Sequence, residues 1–457
     1  MGSKPRIAKG TRDFNSQQIA NREYIFNTIK SNFRAFGFEP IETPSFELSE
    51  TLLGKYGEEG DRLIFKILNS GEKVKKADLS ALKDGNLSGF SNSISEKALR
   101  YDLTVPFARY VSQYQNDITF PFKRYQIQPV WRADRPQKGR FQEFYQCDAD
   151  VVGSSSLWQE VEFIQLYDAV FSDLNLEGVT IKINNRKILA AISQLIGAED
   201  HLIDFTVALD KLDKIGPEKV KDEMLQKGIS SEGLKRLEPL FSLTGNFKVQ
   251  LNTLKSIIGS SSIGQEGISE LEFIANTIDK LGLKTTTLLL DVTLARGLNY
   301  YTGAIFEVSA PKFVNMGSIG GGGRYDDLTS IFGLKGISGV GISFGLDRIA
   351  LVLEELNLFP KNINRTSKVL FTNFGENESL FCYQAIQTLR QNGIAAELYP
   401  DSSKLKKQIN YANKRNIPYV VLVGDEELSN QKFTLKNMTT GDQESVNFDE
   451  LISRLSS

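Results

Sequence analysis

The sequence predicts an α+β protein of two or three domains, on three observations. Strand patterns flank a helical stretch within the first 360 residues. An antiparallel pair with a long basic tip stands out at 122–152, and strand and helix patterns alternate again from 368 onward. A chain of 457 residues is long enough for two or three proper cores.

Residues 16–36 carry Ile19, Ile25, Ile29 and Phe33 at helical spacing and stop near Gly37. "DRLIFKIL" (61–68) reads as a strand, and 69–95, rich in Lys, Ser and Gly, as a mobile excursion. "KALRYDLTVPFARYVSQY" runs from an extended piece into a helix with Pro106 in its first turn, where proline is tolerated. "FKRYQIQPVWR" and "FQEFYQCDADVV" are the arms of the hairpin around "ADRPQKGR". A helix ("LWQEVEFIQLYDAVFSDL") and a strand ("VTIKIN") follow, and residues 190–262 read as an inserted helical module. Strands resume in "TLLLDVTLARGLNYYTGAIFEV" and "GSIGGGGRYDDL", and "SGVGISFGLDRIALVLEEL" passes from strand to helix. The expected divisions are a domain over 1–360, a linker over 361–367 and an α/β domain over 368–457.

Composition narrows the chemistry. Net charge is −2, so nucleic acid must be met by local basic patches and not by the global field. Cys147 and Cys382 lie far apart, which leaves no disulfide framework and no thiolate zinc site. The single histidine, His201, rules out a multi-histidine metal site, so no dedicated metal site is expected. No run of 18 apolar residues exists, and "MGSKPRIAKGTRDF" lacks the apolar core of a signal peptide. The expectation is a cytoplasmic protein with no membrane partner.

Several stretches carry chemistry. Counting by two from Gln142 puts Phe144, Gln146, Asp148 and Asp150 on one strand face, beside the tip residues Arg132, Arg135, Lys138 and Arg140. A ring, an amide and two carboxylates next to guanidiniums are costly to bury without a ligand, and an aminoacyl-nucleotide suits all of them. In "RYDLT", Asp102 and Thr104 suit an ammonium group, although Asp102 equally fits a helix cap. Arg348 stands off the apolar stripe of its helix, in the first turn, where an anion is favoured. "GGGGRYDD" lacks the P-loop pattern, and "GVGISFG" has its glycines inside a strand pattern, unlike a dinucleotide fingerprint. In "ARGLNYYTG", the adjacent Tyr300 and Tyr301 can both face one pocket only through a twist or a bulge, and Arg296 and Tyr301 differ in strand parity, so a pocket that takes both needs a bulge, for which Gly297 is the obvious place.

"KGTRDF", "LRYDLTVPFARY", "WRADRPQKGRFQEFYQCDAD", "ARGLNYYTG", "GGGGRYDDL" and "GISFGLDRI" occur in this order, and together they closely resemble histidyl-tRNA synthetase, a class II aminoacyl-tRNA synthetase. "RYDLT" and "FYQCDAD" look like the eukaryotic-type branch. The resemblance implies a class II antiparallel sheet flanked by helices, a helical insertion, a C-terminal α/β anticodon-binding domain and a homodimer. By resemblance, Asp102, Thr104 and Gln146 hold the α-ammonium of L-histidine, Asp150 accepts an imidazole N–H, Tyr301 closes the ring's other side, and Tyr300 and Tyr301 line the amino-acid pocket. Arg296 and Arg132 reach the histidine carboxylate and the α-phosphate as the catalytic pair. Phe144 stacks on adenine of ATP, Arg140 and Arg348 grip its outer phosphates and base, and Asp134 belongs to the same ATP site. Arg135, Gln137 and Lys138 face tRNA(His), and Mg²⁺ enters with ATP. No side-chain nucleophile is implied; positioning and charge stabilisation carry the reaction.

Overall fold

The computed structural model describes residues 4–456 except 210, 242, 244, 260, 296–299, 362 and 364–366, with the side chains of 57–59, 200, 203, 213 and 214 also set aside. The chain divides into two compact units, Met1–Phe359 and Pro360–Ser457.

The larger unit is built on strands β1 (Glu39–Pro40), β2 (Phe46–Leu48), β3 (Lys66–Ile67), β4 (Lys97–Leu99), β5 (Phe122–Trp131), β6 (Glu143–Val152), β7 (Val179–Asn185), β8 (Thr286–Leu290), β9 (Ala304–Ser309), β10 (Gly320–Tyr325) and β11 (Gly339–Phe344). Eight of them form one sheet in the order β1-β5-β6-β11-β10-β9-β7-β8, and β2-β4-β3 form a small second sheet. The main sheet is mixed and not purely antiparallel as expected. Its inner pairs are antiparallel, whereas the edge pairs β1–β5 and β7–β8 are parallel. Parallel neighbours need a long crossover, and the segments between these partners supply one. Between β7 and β8 the described residues form a series of helices from α4 (Arg186–Leu195) to α5 (Ser262–Leu281), so the residues expected as an insertion at 190–262 belong to a longer set of helices.

Helix α1 (Ser16–Ala35) is opened by a capping box, Asn15 Oδ1 accepting from Gln18 N–H and Gln18 Oε1 accepting from Asn15 N–H. It lays Ile25, Ile29 and Phe33 on the sheet with α3 (Trp158–Asp173), and Phe33, Tyr125, Tyr167, Phe171 and Phe344 interlock there. Between them, α2 (Thr104–Gln113) begins just after β4.

Two local expectations fail. In "DRLIFKIL" only Lys66–Ile67 is a strand; Asp61 and Arg62 close a short helix, Gly57–Arg62. Residues 69–95 are not a bare excursion: they fold into helical turns at Gly71–Lys76, Leu79–Lys83 and Leu87–Ser93. Asp78 and Asn86 cap the last two by accepting from the N–H groups of Ala81 and Gly89. Caps of this kind stabilise a short helix that has little apolar face to bury.

After β11, the smaller-unit side of the sequence is reached through α6 (Leu346–Glu355), whose Leu346, Ile349, Val352 and Leu353 are buried. The smaller unit has a five-stranded sheet, β13 (Ala396–Leu398), β12 (Val369–Phe371), β14 (Tyr419–Leu422), β15 (Phe433–Asn437) and β16 (Gln443–Val446), in that order. Helices α7 (Glu376–Gln391), α8 (Leu405–Lys414) and α9 (Phe448–Ser456) accompany it. Its core includes Phe371 and Phe433, with Phe381 stacked on Phe433 at 4.9 Å.

Candidate active site

A cavity of about 350 Å³ opens on the main sheet, in the size range of small-molecule sites. Strand alternation builds its floor: Phe144, Gln146, Asp148 and Asp150 all point up from β6 into the cavity. Cys147, one step out of phase, is fully buried in the core beneath. The glycines of β10 and β11 keep the neighbouring floor low. A Cβ on Gly341 would lie 2.0 Å from Asp150 Oδ1, and one on Gly323 would lie 2.9 Å from the Tyr301 ring.

Part of the cavity lining is acidic and buried. Asp102 Oδ1 accepts from Tyr56 O–H at 2.8 Å and from Val105 N–H at 3.2 Å, and Oδ2 accepts from Tyr300 O–H at 3.5 Å. Helix capping and cavity lining are therefore combined in Asp102, although the sequence offered them as alternatives. Asp150 Oδ1 accepts from Tyr325 O–H at 2.6 Å, and Oδ2 lies 2.8 Å from Arg124 Nη2. That guanidinium is wholly buried and its N–H groups are not aligned for a hydrogen bond; it rests 4.1 Å above the Phe107 ring. Burial raises the pKa of Asp102 and of Asp150, with Arg124 pulling Asp150 back down. Gln146 Oε1 is buried with no hydrogen-bond partner. Tyr300 and Tyr301 meet edge to face at 5.0 Å and both line the cavity. They sit just before β9 and not within a strand, so strand alternation does not separate them. Arg296 and the expected bulge at Gly297 lie outside the described residues.

Basic residues line the same cavity. Arg132 donates from Nε to Tyr101 O at 3.0 Å, and its guanidinium lies between the rings of Tyr101 (4.3 Å) and Phe144 (5.2 Å). Arg348, in the first turn of α6, donates to Gly139 O at 2.9 Å and to Ser318 O at 2.6 Å, which pins the hairpin tip to the cavity wall. Arg140 lies 3.7 Å from Asp134, and both line the cavity. Arg135, Gln137 and Lys138 do not: they are exposed at the tip, with Lys138 3.3 Å from Glu355.

Sequence reasoning missed Arg124, Tyr56 and the cluster around Asp347, which accepts from Arg12 and Arg22. Arg12 also lies 3.3 Å over the ring of Phe141, another cavity residue, so "KGTRDF" braces the hairpin from behind. Of the three residues that follow the glycines in "GGGGRYDD", Tyr325 faces the cavity. Arg324 turns away into a buried ion pair with Glu160, and Asp326 bonds Thr302.

Residues 92–349 match the family described as Histidyl-tRNA synthetase, and residues 368–457 match the Anticodon binding domain. The chain belongs to the histidyl-tRNA synthetase family. A Christiangramia forsetii protein named histidine–tRNA ligase is 66% identical over 455 residues, spanning 100% of both chains. Its namesake from Flavobacterium johnsoniae is 62% identical, with 99% of each covered. The crystal structure of histidyl-tRNA synthetase from Nostoc sp. superposes with a TM-score of 0.82 at 30% identity, covering 99% of this chain and 100% of that one. The apo Staphylococcus aureus enzyme, at 21% identity and TM-score 0.70, shares the fold. The relatives with family-level identity are bacterial and give the eukaryotic-type expectation no support. The fold is thus the class II one, as expected, with a mixed sheet and a C-terminal anticodon-binding domain.

Proposed function

We propose that the chain joins L-histidine to tRNA(His) in two steps, working as a homodimer in the cytoplasm. The histidine carboxylate attacks the α-phosphorus of ATP, giving histidyl-adenylate and pyrophosphate; the histidyl group then passes to the terminal adenosine of the tRNA. Mg²⁺ arrives with ATP as part of that substrate. The observation that carries this reading is the make-up of one cavity: buried carboxylates and an unpartnered Gln146 carbonyl line it together with Arg132, Arg140 and Arg348.

Asp102, Thr104 and Gln146 take the α-ammonium; Asp150 accepts an imidazole N–H, with Tyr300 and Tyr301 closing the ring's surroundings. Arg132, with Arg296, holds the histidine carboxylate and the α-phosphate, where charge builds up in the transition state. Phe144 stacks on adenine, while Arg140, Arg348 and Asp134 serve the rest of ATP. At the tip, Arg135, Gln137 and Lys138 meet the acceptor end of the tRNA. The exposed lysines 404, 406, 407 and 414 on and beside α8 offer phosphate contacts to the anticodon arm. Domain 1–360 with its 190–262 insertion carries the chemistry, and 368–457, beyond a 361–367 linker, reads the anticodon.

Charging of unfractionated tRNA with labelled histidine tests this. Transfer that requires ATP and stops when tRNA(His) is depleted supports it; ATP-dependent transfer of a different amino acid overturns it.

A further inference from the structure

Asp148 has no part in the roles above. It stands between Gln146 and Asp150 on β6, with Gln126 of β5 and Ser343 of β11 as cross-strand neighbours. It lines the cavity and is 3% exposed. Gln146 Nε2 donates to it only at long range, 3.4 Å to either oxygen, and the Ser343 hydroxyl also bonds it. Asp150, two residues on, has the Tyr325 hydroxyl at 2.6 Å and Arg124 at 2.8 Å. A buried carboxyl group held by one hydroxyl and a long amide contact, with no partnered cation of its own among the described residues, is costly unless something else completes it.

The spacing describes what completes it. Alternate residues on one strand face stand about 6.6 Å apart. A five-membered ring with a hydrogen bond of about 2.8–3.0 Å at each of two nitrogens spans a gap of that order. Tyr301 lies on the same floor, against Gly323. Burial pushes Asp148 up to about 7, with Arg124 of β5 and the bond from Ser343 of β11 lowering it and Asp150 and Asp102 raising it; Tyr167 of α3 and Tyr301 feel its charge. That is close to the range in which a free imidazole exchanges its proton.

We propose that Asp148 is a specificity-determining residue whose carboxyl group meets one nitrogen of the substrate's imidazole while Asp150 meets the other. The inference rests on the histidine reading of the cavity. A neutral imidazole offers one N–H and one lone pair. Asp150, paired with Arg124, accepts the N–H, and protonated Asp148 donates to the bare nitrogen. Against a doubly protonated ring, ionised Asp148 accepts instead. Either way one proton lies between Asp148 and the ring, and an aromatic side chain without the second nitrogen leaves a buried carboxyl group unsatisfied.

The test is ATP–pyrophosphate exchange by the full chain, wild type against Asp148→Ala and Asp148→Asn. The expected result in Asp148→Ala is a rise of about 30-fold in KM for histidine, the scale of one hydrogen bond to a charged group, with KM for ATP unchanged. Asp148→Asn, which keeps a donor, recovers part of the loss. An unchanged histidine KM in Asp148→Ala, or equal losses for histidine and ATP, overturns the proposal. A measurement on the wild type needs no variant: ring-¹⁵N histidine bound to the protein should show both nitrogens shifted from free histidine, and one unshifted nitrogen overturns it. A wild type with no histidine-dependent exchange overturns the cavity reading itself, an outcome distinct from a histidine-active enzyme indifferent to Asp148→Ala.

Discussion

The β6 arm of the hairpin and its tip are separated by a few residues and differ in almost every physical respect. The arm is bonded on both sides, to β5 and to β11, so its alternate side chains are held in register over a buried floor. At the tip, Gln137 and Arg140 exchange backbone hydrogen bonds at 3.1 and 2.9 Å, and Lys138 has an exposed ion pair with Glu355. Such a pair is worth about 0–1 kcal/mol. Rigid ladders suit the reading of a small rigid ring, whereas an exposed basic loop suits a large polyanion whose backbone must be tracked. In the proposed reading, amino-acid choice therefore belongs to the arm and tRNA contact to the tip.

The largest effect is expected where the two regions join. Arg132→Ala should lower the exchange rate by about 10²–10³-fold, the usual scale for one transition-state donor, while leaving thermal stability close to wild type; near-normal exchange would remove Arg132 from the chemistry. Asp150→Ala should cost histidine activation far more than ATP binding. It also strands the buried Arg124, so a stability loss of about 3–5 kcal/mol is expected beside the kinetic one, and denaturant unfolding measures it. Gly341→Ala pushes a methyl group into the Asp150 carboxylate, an overpacking of about 1–3 kcal/mol. It should raise KM for histidine with little change for ATP, and an equal change in both would show that the strand as a whole has moved. The smallest effects belong to the tip. Arg135→Ala with Lys138→Ala should leave pyrophosphate exchange intact and weaken tRNA charging several-fold, more at low salt than at high, because fewer phosphate contacts mean a shallower salt dependence.

Asp148 sharpens the same comparison through pH. Its pKa is raised in the folded protein, so the folded state favours the neutral acid. Wild-type stability from this group is present below the unfolded carboxyl range near 4 and declines as pH rises to about 7. Asp148→Asn should therefore melt higher than wild type above pH 7 and lose that advantage below pH 4. Equal melting temperatures across this range would show that Asp148 is not strained in the empty site.

What the sequence disclosed follows the same division. Phe144, Gln146, Asp148 and Asp150 were legible because strand alternation is a local rule and the face is set by counting. Arg124 was not, because its meeting with Asp150 depends on the register between β5 and β6, where Arg124 and Asp150 are direct partners. Tyr56 and Arg12 arrive from elements distant in sequence, for which a single chain carries no periodic signal. The parallel edges were hidden for a related reason: a strand pattern does not announce the direction in which its partner runs. In 69–95, polar composition masked helices held by caps instead of by an apolar face.

The most direct test of the account is ATP–pyrophosphate exchange with each of the twenty amino acids in turn. The account predicts exchange with histidine alone. Exchange with another amino acid, or with none, would contradict it.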